Sequence, residues 1–231
     1  MVTVKERSPT NFQFIIDFLR SKREETPRTL IYFASHSDLV EAFSYITLHV
    51  VQEAGDSKPM VSMYHSVTAE EIKSALIKDM KDFNGYTRLI LCTSSLSMGV
   101  DMADVKYVIH YGVPCTTDDF LQETGRAGRE DGSKCHSLVI NYPHSVSGRP
   151  VSKTMRKFNK RVLKTCRRNI ILSDYNQKDV KQNPCCDICT EVLGPYDFSI
   201  PGETSAQSSV TSPSRSAYSA DTEIPDPSSS D

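Results

Sequence analysis

The sequence predicts an α/β fold in which a parallel sheet carries helices on both faces. Short apolar, β-branched runs alternate with helical segments up to residue 141, and each run is apolar throughout instead of alternating with polar residues. Continuous apolar runs are typical of strands that are covered on both sides. The alternation of strands with helices favours parallel pairing through right-handed crossovers, which places functional loops at the carboxyl ends of the strands.

Five strands and four helices make up this predicted sheet domain. The strand segments are residues 29–33, 60–64, 88–92, 105–110 and 136–141. The helical segments are residues 11–21, 37–51, 68–83 and 118–123. Thr68 and Glu71 have the spacing of a capping box, so the third helix is expected to begin there, and Thr117 is expected to cap the fourth.

Residues 151–172 change to a helical period and are strongly basic. The apolar stripe of this predicted helix contains Met155, Phe158, Val162 and Cys166. Nine Lys or Arg and no acid lie between Arg149 and Arg168. Such an excess of cations indicates either an anionic partner or a basic face that is simply solvated. The candidate contacts to an anionic partner are Lys157, Lys160 and Lys164.

Composition and cysteine usage limit the class of protein. The hydrophobic content of 38% and the charged content of 24% are typical of a soluble globular protein. The first residues form no apolar segment, and no stretch approaches ~18 uninterrupted apolar residues, so we expect neither secretion nor membrane insertion. Seven cysteines without a secretory signal argue against a disulfide framework and favour a reducing, intracellular compartment.

The C-terminal segment has a different composition from the rest of the chain. Residues 201–231 contain ten Ser among Pro, Thr and acidic residues, with almost no apolar side chains. Such a segment cannot bury enough surface to offset the entropy lost on ordering. We therefore expect residues 196–231 to be a disordered, Ser-rich acidic tail.

A loop of small polar residues follows the third predicted strand. The run LCTSSLSMGVD (91–101) begins where the strand ends and includes three serines and Gly99. Small residues let hydroxyl groups and backbone amides approach a ligand closely, which suits a phosphate backbone. The same composition is typical of an ordinary turn, so this loop alone leaves both interpretations open.

A second loop carries two arginines in the run QETGRAGREDG (122–132). Arg126 and Arg129 are three residues apart, with Gly125 and Gly128 interleaved, so neither guanidinium is crowded by a neighbouring side chain. Guanidinium groups bind phosphate oxygens in a bidentate manner, and an arginine against a γ-phosphate strongly accelerates phosphoryl transfer. The alternative is a surface turn in which these arginines pair with the acids around them.

The two loops together resemble consecutive motifs V and VI of superfamily-two helicases in their RecQ form. The resemblance is carried by SMGVDMADVKYVIHYGVP (97–114) and DDFLQETGRAGREDG (118–132). TLIYFASHSDLVEAF (29–43) resembles motif IV, and YHSVTAEEIKSAL (64–76) resembles the segment after it. The resemblance implies the C-terminal RecA-like lobe of an ATP-dependent 3′–5′ DNA helicase that acts in the nucleus in DNA repair and recombination.

The resemblance also implies a role for individual residues. Arg129 would be the arginine finger, and Arg126 would contact phosphate or the other lobe. Gln122 would couple the nucleotide state to the DNA track. Asp101 and Gly99 would link motif V to the nucleotide. The predicted contacts to the DNA backbone are Thr93 and Ser94.

A late group of cysteines is similar to the zinc module that follows the motor in RecQ helicases. The residues concerned are Cys166, Cys185, Cys186 and Cys189. The family module has one cysteine on a helix and then CxxCDxC, whereas here two cysteines are adjacent and the first loop is two residues shorter. Tetrahedral zinc needs four converging ligands. The sequence therefore leaves open a zinc site or a degenerate module with free thiols.

Two motifs of the helicase family are absent from the sequence. No GxxxxGK[ST] occurs, and no DEAH- or DEAD-type acidic pair is present to hold magnesium. In the family both belong to the first RecA-like lobe, so ATP and Mg²⁺ would be shared with a separate first lobe. This chain alone is then expected to have negligible ATP turnover. The alternative function is a non-catalytic descendant that binds nucleic acid or a protein.

The expected domain organisation has four parts. Residues 1–27 form a lead-in helix or linker, and residues 28–147 form the RecA-like lobe. Residues 148–195 form the basic helix and the zinc module, and the tail begins at residue 196.

Overall fold

The computed structural model describes residues 1–50, 59–97, 102–129, 135–160, 163, 165–177 and 186–189. The chain divides into a compact unit of residues 1–195 and a second unit of residues 196–231. The second unit, where the disordered tail is predicted, lies outside the described residues. All that follows therefore concerns the first unit.

Six parallel strands form one sheet in the described part of the chain, in the order β1-β6-β5-β2-β4-β3. The strands are β1 Val2–Thr3, β2 Arg28–Phe33, β3 Val61–Tyr64, β4 Leu89–Cys92, β5 Val105–Tyr111 and β6 His136–Asn141. Every residue of β2 and β4 is buried, as expected from their continuous apolar sequence. The predicted α/β fold with a parallel sheet is confirmed.

Six α-helices accompany the sheet in the described ranges. They are α1 Gln13–Lys22, α2 His36–His49, α3 Glu70–Lys81, α4 Thr117–Thr124, α5 Lys153–Phe158 and α6 Arg167–Leu172. None of the helices that the structure describes has the length and hydropathy needed to cross a bilayer.

The first 27 residues contribute directly to the sheet and its core. β1 extends the sheet by pairing with β6, where Val2 lies opposite Ile140 and Thr3 opposite Asn141. α1 buries three apolar side chains, and Phe12 just before it is fully buried. A strand of two residues has no periodic signal of its own, which explains why sequence analysis did not predict β1.

The predicted capping box of α3 is wrong. α3 begins at Glu70, and its N-cap residue, Ala69, has no side-chain hydrogen bond. The Thr68 hydroxyl instead accepts a hydrogen bond from the backbone N–H of His65, at 3.1 Å, and so closes the turn after β3. The Thr68 hydroxyl is therefore used in a local turn and is not available for the capping box.

The predicted helix over residues 151–172 is also wrong as one continuous element, because α5 ends at Phe158 and α6 begins at Arg167. Arg167 is 3% exposed, and its guanidinium donates to the backbone carbonyls of Phe158 and of Lys160. The Phe158 carbonyl is at the C-terminus of α5 and that of Lys160 lies two residues beyond it, where a helix leaves its acceptors without internal partners. The buried cation therefore stabilises the break, and Val162 of the predicted stripe lies outside the described residues.

A second buried arginine links the start of β2 to the C-terminal end of α3. Arg28, at the start of β2, is fully buried, and its guanidinium donates to the backbone carbonyls of five residues. They are Asp79, Met80, Asp82, Gly85 and Ala103. Most of these carbonyls lie at or just beyond the C-terminus of α3, so one side chain satisfies acceptors that the helix leaves open.

α5 and α6 pack onto the sheet and do not stand apart from it. One apolar cluster joins the appendage to the sheet: Val113, two residues after β5, and Val139, within β6, pack with Met155, Phe158, Ile170 and Ile171. Burial of this cluster gives the appendage formed by α5 and α6 a fixed position against the sheet.

Candidate functional site

The polar loop after β4 lies at the carboxyl end of the sheet. The backbone N–H of Thr93 donates to the carbonyl of Tyr64 at 3.3 Å, which keeps the loop attached to β3. The hydroxyls of Thr93 and Ser95 are 2.9 Å apart, Ser94 is exposed, and Leu96 is fully buried as an anchor. Thr93 and Ser94, the predicted DNA contacts, therefore lie on an accessible polar edge.

α4 begins one residue earlier than expected. Thr116, not Thr117, is the N-cap: its hydroxyl accepts from the N–H of Asp119 at 3.0 Å, and the Asp119 carboxylate accepts from the N–H of Thr116 at 3.2 Å. Thr117 is buried, and its hydroxyl donates to the Asp174 carboxylate at 2.5 Å. The reciprocal capping box fixes the first turn of the helix that leads to the arginines.

The segment Gly125–Arg129, called here the arginine segment, returns across the sheet from the end of α4. The N–H of Gly125 donates to the carbonyl of Leu121 at 2.9 Å, and a Cβ added at Gly125 would lie 3.0 Å from that oxygen. Gly128, at φ +69°, donates to the carbonyl of Val105 at 3.3 Å. The segment thus reaches the first residue of β5, which is not where the general expectation for functional loops placed it.

The arginine segment and the polar loop nevertheless share one face of the sheet. α4 packs against the turn Ser94–Ser97. Ala127, between the two arginines, packs against the apolar cluster that contains Leu96, Met102 and Val105. Motif V and motif VI are therefore joined through a common core, although Gly99 and Asp101, predicted to contact the nucleotide, lie outside the described residues.

The two arginines have opposite environments. Arg129 is exposed, with its Nε donating to the carbonyl of Gly125 at 3.3 Å, and Gln122 is exposed on α4. Arg126 is only 6% exposed. It lies beside Tyr32. The pKa of Tyr32 is raised because burial disfavours the phenolate, and the Arg126 guanidinium offsets only part of this rise. Of the predicted catalytic residues, Arg129 and Gln122 can be reached from solvent, whereas Arg126 faces the interior of the lobe.

A buried polar contact beneath α4 was missed by sequence analysis. His110, near the end of β5, places its Nε2 atom 3.0 Å from the Oε2 atom of Glu123. Both side chains are buried, and the His110 ring stacks on Tyr32 with 5.5 Å between ring centroids. The only signal was a histidine within a strand otherwise rich in buried apolar residues, VKYVIHY, which periodicity cannot distinguish from a surface residue at a strand end.

The appendage contacts α4 through an acidic and an aromatic residue. The Asp174 carboxylate accepts from the hydroxyls of Thr117, at 2.5 Å, and of Thr154, at 2.7 Å, and these two hydrogen bonds lower the pKa of Asp174. The Tyr175 hydroxyl donates to the Asp118 carboxylate. The first turn of α4 is therefore linked directly to α5 and to the residues that follow α6.

Three of the four predicted metal ligands lie together. The sulfur of Cys186 is 3.7 Å from that of Cys166 and 3.7 Å from that of Cys189, and all three sulfurs lie within 4.8 Å of one another. Cys166 is the residue just before α6, not a position within a helix. Cys185, the fourth predicted ligand, lies outside the described residues.

The cysteine loop is held by an ion pair between the buried Arg167 and the half-buried Asp187. Asp187, between Cys186 and Cys189, accepts from Nε of Arg167 at 2.7 Å and from Nη2 at 2.9 Å. Burial alone would raise the pKa of the Asp187 carboxyl, but the bidentate hydrogen bonds and the charge of Arg167 bring that pKa below its usual value. The same guanidinium therefore supports both the helix break and the cysteine loop.

The basic segment has accessible lysines at its beginning. Lys157 and Lys160 are exposed, whereas Lys164 lies outside the described residues. Arg156 uses its guanidinium to donate to the backbone carbonyls of Val151 and Arg149, each at 3.0 Å. The cations of this segment thus divide between internal hydrogen bonding and solvent-facing positions.

The sequence that forms this site matches a known protein family. The model described as "Helicase conserved C-terminal domain" matches residues 10–131, more than half of the chain, so the chain belongs to this family. The fold is also similar to the crystal structure of the helicase MrfA bound to DNA and AMPPNP. That similarity has a TM-score of 0.50 and 20% identity, and it covers 59% of this chain and 18% of that chain.

The related proteins include both RNA and DNA helicases. A protein of Acanthamoeba polyphaga mimivirus, described as an ATP-dependent RNA helicase, is 27% identical over 84% of this chain and 35% of its own length. The mouse bifunctional 3′-5′ exonuclease/ATP-dependent helicase WRN is 28% identical over 76% of this chain and 13% of its own length. The ATP-dependent DNA helicase RecQ of Pasteurella multocida is 26% identical over 55% of this chain and 22% of its own length. The chain therefore spans about a third or less of these relatives.

Proposed function

We propose that this chain is the C-terminal motor lobe of a RecQ-type, ATP-dependent 3′–5′ DNA helicase that acts in DNA repair and recombination in the nucleus. The observation that carries the proposal is the placement of Arg129. It is exposed five residues after α4, a helix that is capped at its start and contacted by the appendage. The segment that carries it is anchored to β5 through Gly128. An arginine presented in this way can reach the γ-phosphate of a nucleotide held by another lobe.

The chemistry would be divided between two lobes. ATP and Mg²⁺ would be held mainly by the first lobe, because this sequence contains no phosphate-binding P-loop. Arg129 would stabilise negative charge that develops on the transferred phosphoryl group. Gln122 is exposed on α4, seven residues before Arg129 in sequence. It would contact the same nucleotide and couple the nucleotide state to the polar loop, because α4 packs against that loop.

The nucleic acid would run along the polar loop after β4. Thr93 and Ser94 offer small hydroxyl donors to a phosphate backbone, and such contacts position a strand without reading its sequence. Lys157 and Lys160 would add electrostatic attraction from the appendage. DNA is proposed over RNA because the QETGRAGREDG run and the cysteine group resemble the RecQ form.

We further propose that zinc binds to the cysteine group as a structural ion. Tetrahedral coordination with Zn–S bonds of ~2.3 Å places pairs of sulfur atoms about 3.8 Å apart. Two sulfur pairs, Cys166–Cys186 and Cys186–Cys189, are each 3.7 Å apart. Thiolates are the ligands that zinc prefers in closed structural sites, and Cys185 is proposed as the fourth.

The test of the motor function is to restore ATP hydrolysis in trans. The full chain would be mixed with a separately produced first lobe of a RecQ-type helicase, and ATP turnover would be measured with single-stranded DNA or with RNA. We expect stimulation by DNA, and a loss of roughly 10³-fold or more in kcat for Arg129→Ala. Arg20→Ala, an exposed arginine on α1, is the matched control and should retain wild-type turnover.

Each outcome separates the candidate functions. Stronger stimulation by RNA than by DNA would replace the DNA assignment with an RNA helicase. Nucleic-acid binding without turnover in any mixture, and without an effect of Arg129→Ala, would favour the non-catalytic binding protein instead.

A further inference from the structure

The buried contact between His110 and Glu123 has no role in the proposed chemistry, yet it lies directly under the arginine segment. Glu123 is in the last turn of α4, and its backbone carbonyl accepts from the N–H of Arg126 at 3.3 Å. His110 is 1% exposed, so its hydrogen bond to Glu123 is shielded from water. A hydrogen bond to a charged group is worth most in such a setting.

The ring of His110 has one hydrogen-bond partner and two aromatic neighbours. Nε2 lies 3.0 Å from Glu123, whereas Nδ1 is buried and has no partner among the described residues. The faces of the ring meet Tyr32 at 5.5 Å and Phe120 at 5.3 Å between centroids. A single ring proton at Nε2 satisfies this arrangement, whereas a second proton would leave a buried N–H donor with no acceptor.

The charges around the ring lead to the same conclusion. The groups that face this cluster are Tyr32 from β2, Cys92 from β4, and Glu123 and Arg126 from α4 and the segment after it. Burial raises the pKa of the Tyr32 hydroxyl and of the Cys92 thiol, so both are neutral at pH 7. The carboxylate that faces the ring is that of Glu123, and one N–H donor from a neutral ring satisfies its Oε2 atom.

We propose that His110 is a positioning residue: as a neutral donor it fixes the Glu123 carboxylate, and through it the last turn of α4 and the arginine segment. Glu123 lies two residues before Gly125, the C-cap of α4. The two arginines follow this C-cap and point in different directions. Arg126 stays inside, against Tyr32, and Arg129 points outward. Only the purpose of this orientation rests on the proposed function; the positioning itself is a property of the lobe without nucleotide.

The test uses the full chain without nucleotide or a first lobe. In wild-type protein labelled with ¹⁵N-histidine, the ring of His110 should show one protonated and one bare nitrogen at pH 7. His110→Gln keeps an amide donor, and His110→Leu removes it. His136→Gln, at an exposed histidine on β6, is the matched control. The second measurement is amide hydrogen exchange at Gly125–Gly128, compared with β2.

The proposal makes distinct demands on each variant. Protection at Gly125–Gly128 should fall by about tenfold or more in His110→Leu, while β2 keeps its protection, because a buried carboxylate loses its donor. His110→Gln should retain protection within about twofold of the wild-type value. Two protonated ring nitrogens at pH 7, unchanged protection in His110→Leu, or equal losses in both variants would each overturn it. The ring spectrum decides the matter even if His110→Leu does not fold, and none of these results depends on ATP hydrolysis.

Discussion

Replacing Asp174 with asparagine tests how the appendage holds the helix that presents the arginines. The carboxylate accepts two hydroxyl hydrogen bonds, at 2.5 Å from Thr117 on α4 and at 2.7 Å from Thr154 on α5. Asparagine keeps one carbonyl acceptor and removes the charge. The substitution should therefore weaken both contacts without changing the size of the side chain, because both lose a charged acceptor and one hydroxyl must turn to accept from the new amide N–H group.

The size of the effect follows from the exposure of Asp174. A hydrogen bond to a charged group contributes ~1.5–3 kcal/mol when it is shielded from solvent. Asp174 is exposed, so competition from water reduces the two bonds together to about 1 kcal/mol. For a domain of this size, that loss lowers Tm by roughly 2–4 °C.

The effect should depend on pH with a defined sign. The two hydroxyl donors lower the pKa of Asp174 below its usual value. A carboxyl whose pKa is lower in the folded state adds stability above its unfolded pKa of ~3.9, and this contribution is lost as the pH falls through the folded pKa. The difference in Tm between wild type and Asp174→Asn should therefore be largest near pH 7 and should close below about pH 4.

The assay is thermal unfolding of the full chain between pH 2 and pH 7, followed by circular dichroism. Asp17→Asn is the matched control, because it removes an exposed carboxylate whose hydrogen bond, from Gln13 at 2.9 Å, is local to α1. Equal Tm values for Asp174→Asn and Asp17→Asn at pH 7 would refute the reasoning. A difference that persists unchanged below pH 3 would also refute it, because the charge would then not be its cause.

Three further predictions address other parts of the molecule. Metal analysis after mild purification should find one zinc per chain. The zinc content should fall below half an equivalent in Cys186→Ser but not in Cys135→Ser, which changes an exposed cysteine outside the group. Less than half an equivalent in wild type would contradict the zinc proposal. Arg28→Met should lower the free energy of unfolding, measured in urea, by about 3 kcal/mol, because five backbone carbonyls lose a buried, charged donor. A loss under about 1 kcal/mol would contradict this, because the guanidinium would then be replaceable by water. Neutralising Lys157 and Lys160 to Gln should reduce the slope of log K against log salt for single-stranded DNA by between about 1 and 2, and an unchanged slope would exclude phosphate contacts by these lysines.

The strands could be predicted closely because the signal for a strand buried on both faces is local. The run at 29–33 lies inside β2, Arg28–Phe33, and the run at 105–110 lies inside β5, Val105–Tyr111. β1 could not be predicted, since it is defined by pairing between residues 2 and 140, and no local pattern encodes that contact. Strands that are buried along their whole length could therefore be predicted from the sequence, whereas pairing between residues far apart in the chain could not.

The ends of helices were less predictable than the helices themselves, because side chains near these ends form hydrogen bonds with residues that are distant in sequence. Thr117 had the residue type of a cap, but its hydroxyl donates to Asp174, 57 residues away, and Thr116 became the cap. The apolar stripe over residues 151–172 was visible, but the break within it depends on Arg167 and the carbonyls that its guanidinium binds. A hydrogen-bond choice between near and distant partners is decided by packing and not by spacing.

The sequence by itself determined the class of chemistry: paired arginines between glycines, small polar residues after a buried strand, and a group of cysteines. The tertiary structure decided which of these groups can act on a ligand. Because α4 turns back across the sheet, Arg126 lies against Tyr32 and is 6% exposed, while Arg129 faces solvent. Because His110 and Glu123 meet only when β5 and α4 pack together, the contact that supports this division was visible in neither motif alone. Residue type is a local property, whereas burial and direction are properties of the packed lobe.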